Sequence, residues 1–191
     1  LDYKLSILIP TIPSRAESFR TLYDNLTAQS FGLPVEICVN LDNNEKTIGE
    51  KRQELLEMSK GQYVCFIDDD DDVSKDYVQK ILKAIEQEPD CTSLTGVITW
   101  DGINPEIFEH SIKYDTYKTN PKGSPVIYER FPNHLNPIKR SIAIKYTFLP
   151  KNHGEDTLWA SEIHKSGELK HEVKIDGVLY YYKFKPNKPT K

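Results

Sequence analysis

The chain has 191 residues, enough for one domain with a hydrophobic core, and its 38% apolar and 28% charged residues exclude an intrinsically disordered polypeptide. A formal net charge of −4 is too mild to point to a nucleic-acid partner or a membrane surface. The first apolar stretch, Leu5 to Ile9, is far too short for a signal segment or a membrane span.

Cys38, Cys65 and Cys91 are widely spaced and form no C-x-x-C pair, so neither a zinc site nor a disulfide framework is supported. A reducing, cytoplasmic compartment is the expectation. The sequence begins at Leu1 without a methionine, as a trimmed chain or one domain of something longer would.

Leu5 to Ile9 reads as a buried strand stopped by Pro10 and Pro13. Ser14 is placed to cap a helix with Glu17 as its capping-box partner, and Phe19, Leu22, Tyr23 and Leu26 form its apolar stripe. Val35 to Leu41 is the second strand, followed by the turn Asp42-Asn43-Asn44. Thr47 to Lys60 fits a helix with Leu55, Leu56 and Met58 turned to the core and Gly61 just past its end. The third strand, Tyr63 to Ile67, runs straight into five aspartates, Asp68 to Asp72. Ser74 or Asp76 then opens a helix carrying Val78, Ile81, Leu82 and Ile85, ended by Pro89. This alternation predicts an α/β fold with a mostly parallel central sheet flanked by helices.

The second half is less regular. Ser93 to Trp100 reads as a strand, and Glu106 to Tyr114 with Val126 to Arg130 as a small antiparallel addition. Residues 139–146 and 155–165 read as short helices and Val173 to Tyr182 as a final strand. The closing lysines, Lys183, Lys185, Lys188 and Lys191, read as a solvated tail.

Chemistry concentrates at the acidic run. In open parallel sheets ligands bind beyond the carboxyl ends of the strands, and the run leaves a strand at such an end. Five adjacent carboxylates repel one another unless screened or bound. Carboxylates at i and i+2 can share a hard divalent cation, and Mg²⁺ or Mn²⁺ commonly keeps substrate phosphates as further ligands. The bland alternative is a solvated acidic turn before a helix. A calcium EF-hand loop fails, because its glycine and glutamate positions fall on Val73 and Gln79.

Three segments together resemble family-2 glycosyltransferases of the GT-A fold. They are Leu5 to Thr11 with Ile12-Pro13-Ser14-Arg15, then Gly49 to Gln53 with Lys60 to Asp71, and Gly154-Glu155-Asp156. The resemblance spans about residues 4 to 165, and its second part is the most specific. It implies a single GT-A domain over 1–191, with a nucleotide-binding half at 1–92 and an acceptor-side half with the C-terminal strand at 93–191. It further implies an inverting transfer from a UDP- or GDP-sugar to a glycan or glycoconjugate, with Mn²⁺ or Mg²⁺.

Thr11, Arg15, Asp42, Arg52, Asp68 and Asp69 would contact the donor, Asp42 at the base or ribose. Asp70 and Asp68 would hold the metal, and Asp156 would be the general base. Gln53 departs from the asparagine more usual beside the helix arginine, and the extra acids leave the register within Asp68–Asp72 open.

Competing readings are a haloacid-dehalogenase-type phosphatase, on the loose string Asp69 to Val73, and a non-catalytic nucleotide-sugar or glycan-binding module. Asp156 also reads as an acid favouring a helix N-terminus. His134, His153, His164 and His171 read as surface or hydrogen-bonded residues, His153 being the best placed near the Glu155-Asp156 pair. Trp100 can stack on a sugar ring or sit in the core.

Overall fold

β1 (Leu5–Thr11) is buried along its whole length, and its neighbours on both sides make it the spine of the first sheet. The computed structural model describes residues 2–184. After β1 come a single 3₁₀ turn (Pro13–Arg15), α1 (Ala16–Ser30), β2 (Val35–Leu41), α2 (Ile48–Met58), β3 (Tyr63–Phe66), β4 (Asp72–Val73) and α3 (Tyr77–Ile85). The chain continues through β5 (Cys91–Thr92), β6 (Leu94–Trp100), β7 (Ile103–His110), β8 (Lys118–Thr119) and β9 (Tyr128–Arg130). It ends with β10 (Ile138–Lys139), α4 (Arg140–Ala143), α5 (Glu155–Ser166), β11 (Glu172–Val173) and β12 (Tyr180–Phe184).

Two six-stranded sheets result, ordered β11-β5-β10-β3-β1-β2 and β4-β12-β6-β7-β9-β8. In the first, β1 runs parallel to β2 and β3, while β10 is antiparallel to β3 and β5. The expected α/β class therefore holds, with a mixed second sheet much larger than a small addition. The sheets also ignore the division at residue 92: β4 lies in the second sheet, and β10 and β11 lie in the first.

Pro10 does not stop β1. Leu8 accepts a hydrogen bond from Ile67 N on the β3 side. Two residues on, Pro10 falls on that same side beyond the end of β3, where the ladder asks for no N–H. The predicted capping box at Ser14 is absent; Pro13–Arg15 forms the 3₁₀ turn and Ser18 bonds back to Arg15 O. The box forms instead at Thr47, whose hydroxyl accepts Glu50 N while Glu50 accepts Thr47 N.

Leu55 and Leu56 are buried as expected, but Met58 is exposed. The predicted pairing of Val126–Arg130 is parallel: β9 lies beside β7 in that sense. Val173 to Tyr182 is two strands in different sheets, parted at Gly177, which takes a positive φ of 89°. Lys183 lies inside β12, its N–H bonded to Asp71. Lys185, Lys188 and Lys191 fall outside the described residues.

Candidate active site

β1 and β3 are neighbouring parallel strands, so Thr11 and Asp68 leave the first sheet at the same edge. There they open on a cleft of about 1270 Å³ whose walls include Thr11, Arg15, Arg52, the Asp68–Asp70 stretch and Asp156. Ligands of open α/β sheets bind at such an edge.

The five aspartates meet different fates. Asp69 is buried and bonded by Arg15 Nη1 at 2.6 Å, and its Oδ2 has no partner. Asp71 is buried too, accepting Tyr180 OH and Lys183 N at 2.8 Å each. Asp72 faces Lys183. Asp68 and Asp70 remain on the cleft side, 27% and 29% exposed. Burial raises the Asp70 pKa above the ordinary carboxylate value, and the Asp68 and Asp69 charges add to this against the pull of Arg15. Burial also opposes ionisation of Asp68, but the Arg52 guanidinium and then the His134 ring outweigh it and hold Asp68 well below that value.

Arg52 ties the ends of the site together. Its Nη2 bonds Asp68 Oδ1 at 2.8 Å and its Nε bonds Glu155 Oε1 at 3.2 Å, with the guanidinium 5.4 Å from the Phe66 ring centroid. Arg52 Nη1 is buried without a partner. The capped start of α2 aims this side chain. Gly49 brings the helix against the Leu149–Lys151 segment, where an added Cβ would stand 1.8 Å from Leu149 O. One residue before Arg52, buried Lys51 donates to Thr11 O at 2.9 Å and pairs with Asp42.

Asp42 is placed differently from expectation. Its carboxylate accepts the Asn44 and Lys46 amides and pairs with Lys51, so it holds the turn and the lysine. Burial works against its charge, but these partners outweigh it and lower its pKa. Asn44 and Lys46, not Asp42, line the cleft.

α5 begins at Gly154, in the left-handed region at φ 74°. Glu155 turns inward to Arg52, whereas Asp156 is 30% exposed to the cleft, its Oδ1 accepting Thr157 N at 2.7 Å. The helix-terminus reading and the cleft reading therefore hold together for Asp156. Behind it, His134 is 5% exposed, with Nδ1 3.4 Å from Asp156 Oδ2 and Nε2 4.0 Å from Asp68 Oδ2. His153 is exposed at the cleft wall, His164 stacks on Phe131, and Trp100 packs on Phe184 and bonds Glu106. Tyr182 also lines the cleft, and burial first, then Asp71 and Asp68, push its pKa up to about 12.

Sequence reasoning gave no site role to Lys51 or Tyr182, named Glu155 only as a member of the Glu155-Asp156 pair, and set His134 among surface or hydrogen-bonded histidines. A lysine and an arginine side by side at buried helix positions were the available signal.

Among the described residues no three His, Cys, Asp or Glu side chains are grouped to hold a metal unaided. Mg²⁺-type sites commonly use one or two carboxylates plus substrate phosphates. Asp70, whose charge is disfavoured by burial and by Asp68 and Asp69 despite Arg15 at 3.4 Å, and Asp68 beside it supply that donor set, so the residues fit a substrate-assisted cation.

The fold and this cleft are those of a GT-A glycosyltransferase. Residues 28–147 match the model of glycosyl transferase family 2, and the chain belongs to that family. Over 132 residues it is 24% identical to the glucosyl-dolichyl phosphate glucuronosyltransferase of Haloferax volcanii, covering 55% of this chain and 42% of that protein.

Its fold is similar to crystal structures of S. aureus TarS 1–349, with a TM-score of 0.65 at 15% identity over 94% of this chain and 60% of the other. For the complex of that protein with UDP-GlcNAc, the TM-score is 0.67 at 17% identity over 97% and 60%. The chain thus spans less than two thirds of each of these proteins. No helix among the described residues is long and apolar enough to cross a membrane.

Proposed function

We propose that the chain carries out an inverting transfer of a sugar from a UDP- or GDP-sugar to a hydroxyl of a glycan or glycoconjugate, with Mn²⁺ or Mg²⁺ at Asp70 and Asp68. The observation that carries this reading is the Arg52 bridge. It fixes the end of β3 and the first turn of α5 on one cleft, so that a phosphate-binding edge and a free carboxylate share it. The UDP-GlcNAc complex of TarS supports a UDP-linked donor. The name of the archaeal relative, with its lipid-linked sugar, supports a glycoconjugate acceptor. Family membership removes the weight from the phosphatase alternative.

A divalent cation supplies charge neutralisation for the departing diphosphate when bound. Arg15 and Arg52 add fixed positive charge beside it, and Thr11, whose buried Oγ1 has no partner, is part of the same cleft wall. Asp156 accepts the acceptor hydroxyl proton as the new bond forms. Three buried thiols, each with its pKa raised by burial, suit a reducing compartment, and we place the protein in the cytoplasm on that ground.

The test is a thermal-shift panel of UDP-GlcNAc, UDP-glucose, UDP-glucuronic acid and GDP-mannose with and without Mn²⁺. At one hundred times Kd a native-state ligand adds about 2.7 kcal/mol. For a chain of this size that is a rise of roughly 5–10 °C in Tm. A Mn²⁺-dependent rise that disappears in Asp70→Ala is expected. Asp156→Asn should keep the rise and lose transfer by about 100-fold or more. A shift without transfer or donor hydrolysis across a broad acceptor panel would favour the binding module.

A further inference from the structure

Among the described residues His134 has both of its polar side-chain atoms, the two ring nitrogens, buried without a partner, and the side chain is 5% exposed. A buried polar group without a partner is costly, so natural structures seldom keep one without a use. The ring is held from behind. His134 O accepts Phe66 N at 2.8 Å, locking its backbone to the end of β3, and the ring lies 6.2 Å from the Phe66 ring.

Its neighbours in sequence are spent elsewhere. Asn133 Oδ1 accepts Leu135 N, and Asn136 bonds Thr92 O, Asn133 N and His110. The carboxylates within 4.0 Å of the ring are Asp156, opposite Nδ1, and Asp68, opposite Nε2.

We propose that His134 is a positioning residue that donates its Nδ1–H to Asp156 Oδ2 in the donor-bound state and thereby aims the other oxygen of Asp156 at the acceptor. This rests on the reading of Asp156 as base. At 3.4 Å the contact is longer than a formed hydrogen bond, and catalytic hydrogen bonds are commonly long before substrate binds and tighten with it. Nε2 lies 4.0 Å from Asp68 Oδ2, beyond hydrogen-bond reach, whereas Nδ1 is 3.4 Å from Asp156 Oδ2, so Asp156 is the carboxylate the ring is placed to hold. Asp156 has one backbone anchor, Thr157 N on Oδ1, and a second donor on Oδ2 removes its remaining rotation.

Geometry supplies a discriminating pair of variants. The amide nitrogen of an asparagine can stand where Nδ1 stands, whereas a glutamine amide reaches towards the Nε2 position. UDP release from UDP-GlcNAc in Mn²⁺ is the activity probe, since water needs the same base. His134→Ala and His134→Gln are expected to lower kcat by about 10–100-fold with donor KM within about twofold. His134→Asn should stay within about fivefold of the native protein.

A readout independent of turnover is the ring nitrogen spectrum, in which Nδ1 should carry a proton and its signal should move in Asp156→Asn. Native-like kcat in His134→Gln, equal loss in His134→Asn and His134→Gln, or an unprotonated Nδ1 overturns the proposal. If Asp156→Asn itself keeps UDP release, the base reading fails instead, and the nitrogen spectrum still decides whether His134 bonds Asp156.

Discussion

Replacing Arg52 by alanine removes the link on which the cleft geometry depends. The guanidinium is 5% exposed and bonds two carboxylates of unequal need. Asp68 is 27% exposed and keeps part of its hydration, so it bears the smaller share of the loss although burial also opposes its charge. Glu155 is 5% exposed and would be left as a buried charge with its salt-bridge partner gone. Removing one member of a buried pair typically costs about 3–5 kcal/mol, and most of that is assigned here to Glu155. For a chain of this length the loss corresponds to a fall of about 6–20 °C in Tm.

The assay is thermal and urea unfolding at pH 7 of Arg52→Ala, Glu155→Gln and the double variant. Neutralising Glu155 in the Arg52→Ala background should restore at least about half of the loss, because the buried charge is then gone. A Tm for Arg52→Ala within about 2 °C of native, or a double variant no more stable than Arg52→Ala, would refute the assignment.

Two further outcomes concern the scaffold. Gly49→Ala would gain about 1 kcal/mol of helix propensity, but its Cβ would meet Leu149 O at 1.8 Å. Backbone cannot move aside as a side chain can, so a net loss of about 1–3 kcal/mol is expected in urea unfolding; a stabilised variant would show that the 149–151 segment does not press on α2. His110 is buried, and burial lowers its pKa from 6.5 to about 3. Between those values the unfolded chain binds a proton that the native state does not. Stability should therefore fall by about 1.4 kcal/mol per unit as pH drops below 6.5. His110→Phe should flatten this limb between pH 6.5 and 4.5, and parallel declines in the two proteins would count against a neutral buried ring.

What was readable in the sequence was what lies contiguous along it. β2 matches its predicted span, Val35 to Leu41, because it is short, apolar and bounded by turn residues. The acidic run declared itself for the same reason. What was hidden depends on partners far away in the chain. Pro10 reads as a stop until β3 is seen to end beside it, and Val173 to Tyr182 reads as one strand because its β-branched and aromatic residues suit either sheet.

The same division runs through the site. Asp68, Asp70 and Asp156 were identified by type and motif. Arg52 to Glu155, a pairing across 103 residues, and His134 between two aspartates are facts of packing alone. They are also what convert acids scattered along the chain into one site. Asp42 shows the limit from the other side: its motif position suggested a ligand contact, and only the folded chain reveals its pairing with buried Lys51. Folding gives Asp42 to Lys51 and Glu155 to Arg52, while Asp68, Asp70 and Asp156 stay part-exposed on the cleft and are the carboxylates to which the proposed chemistry falls.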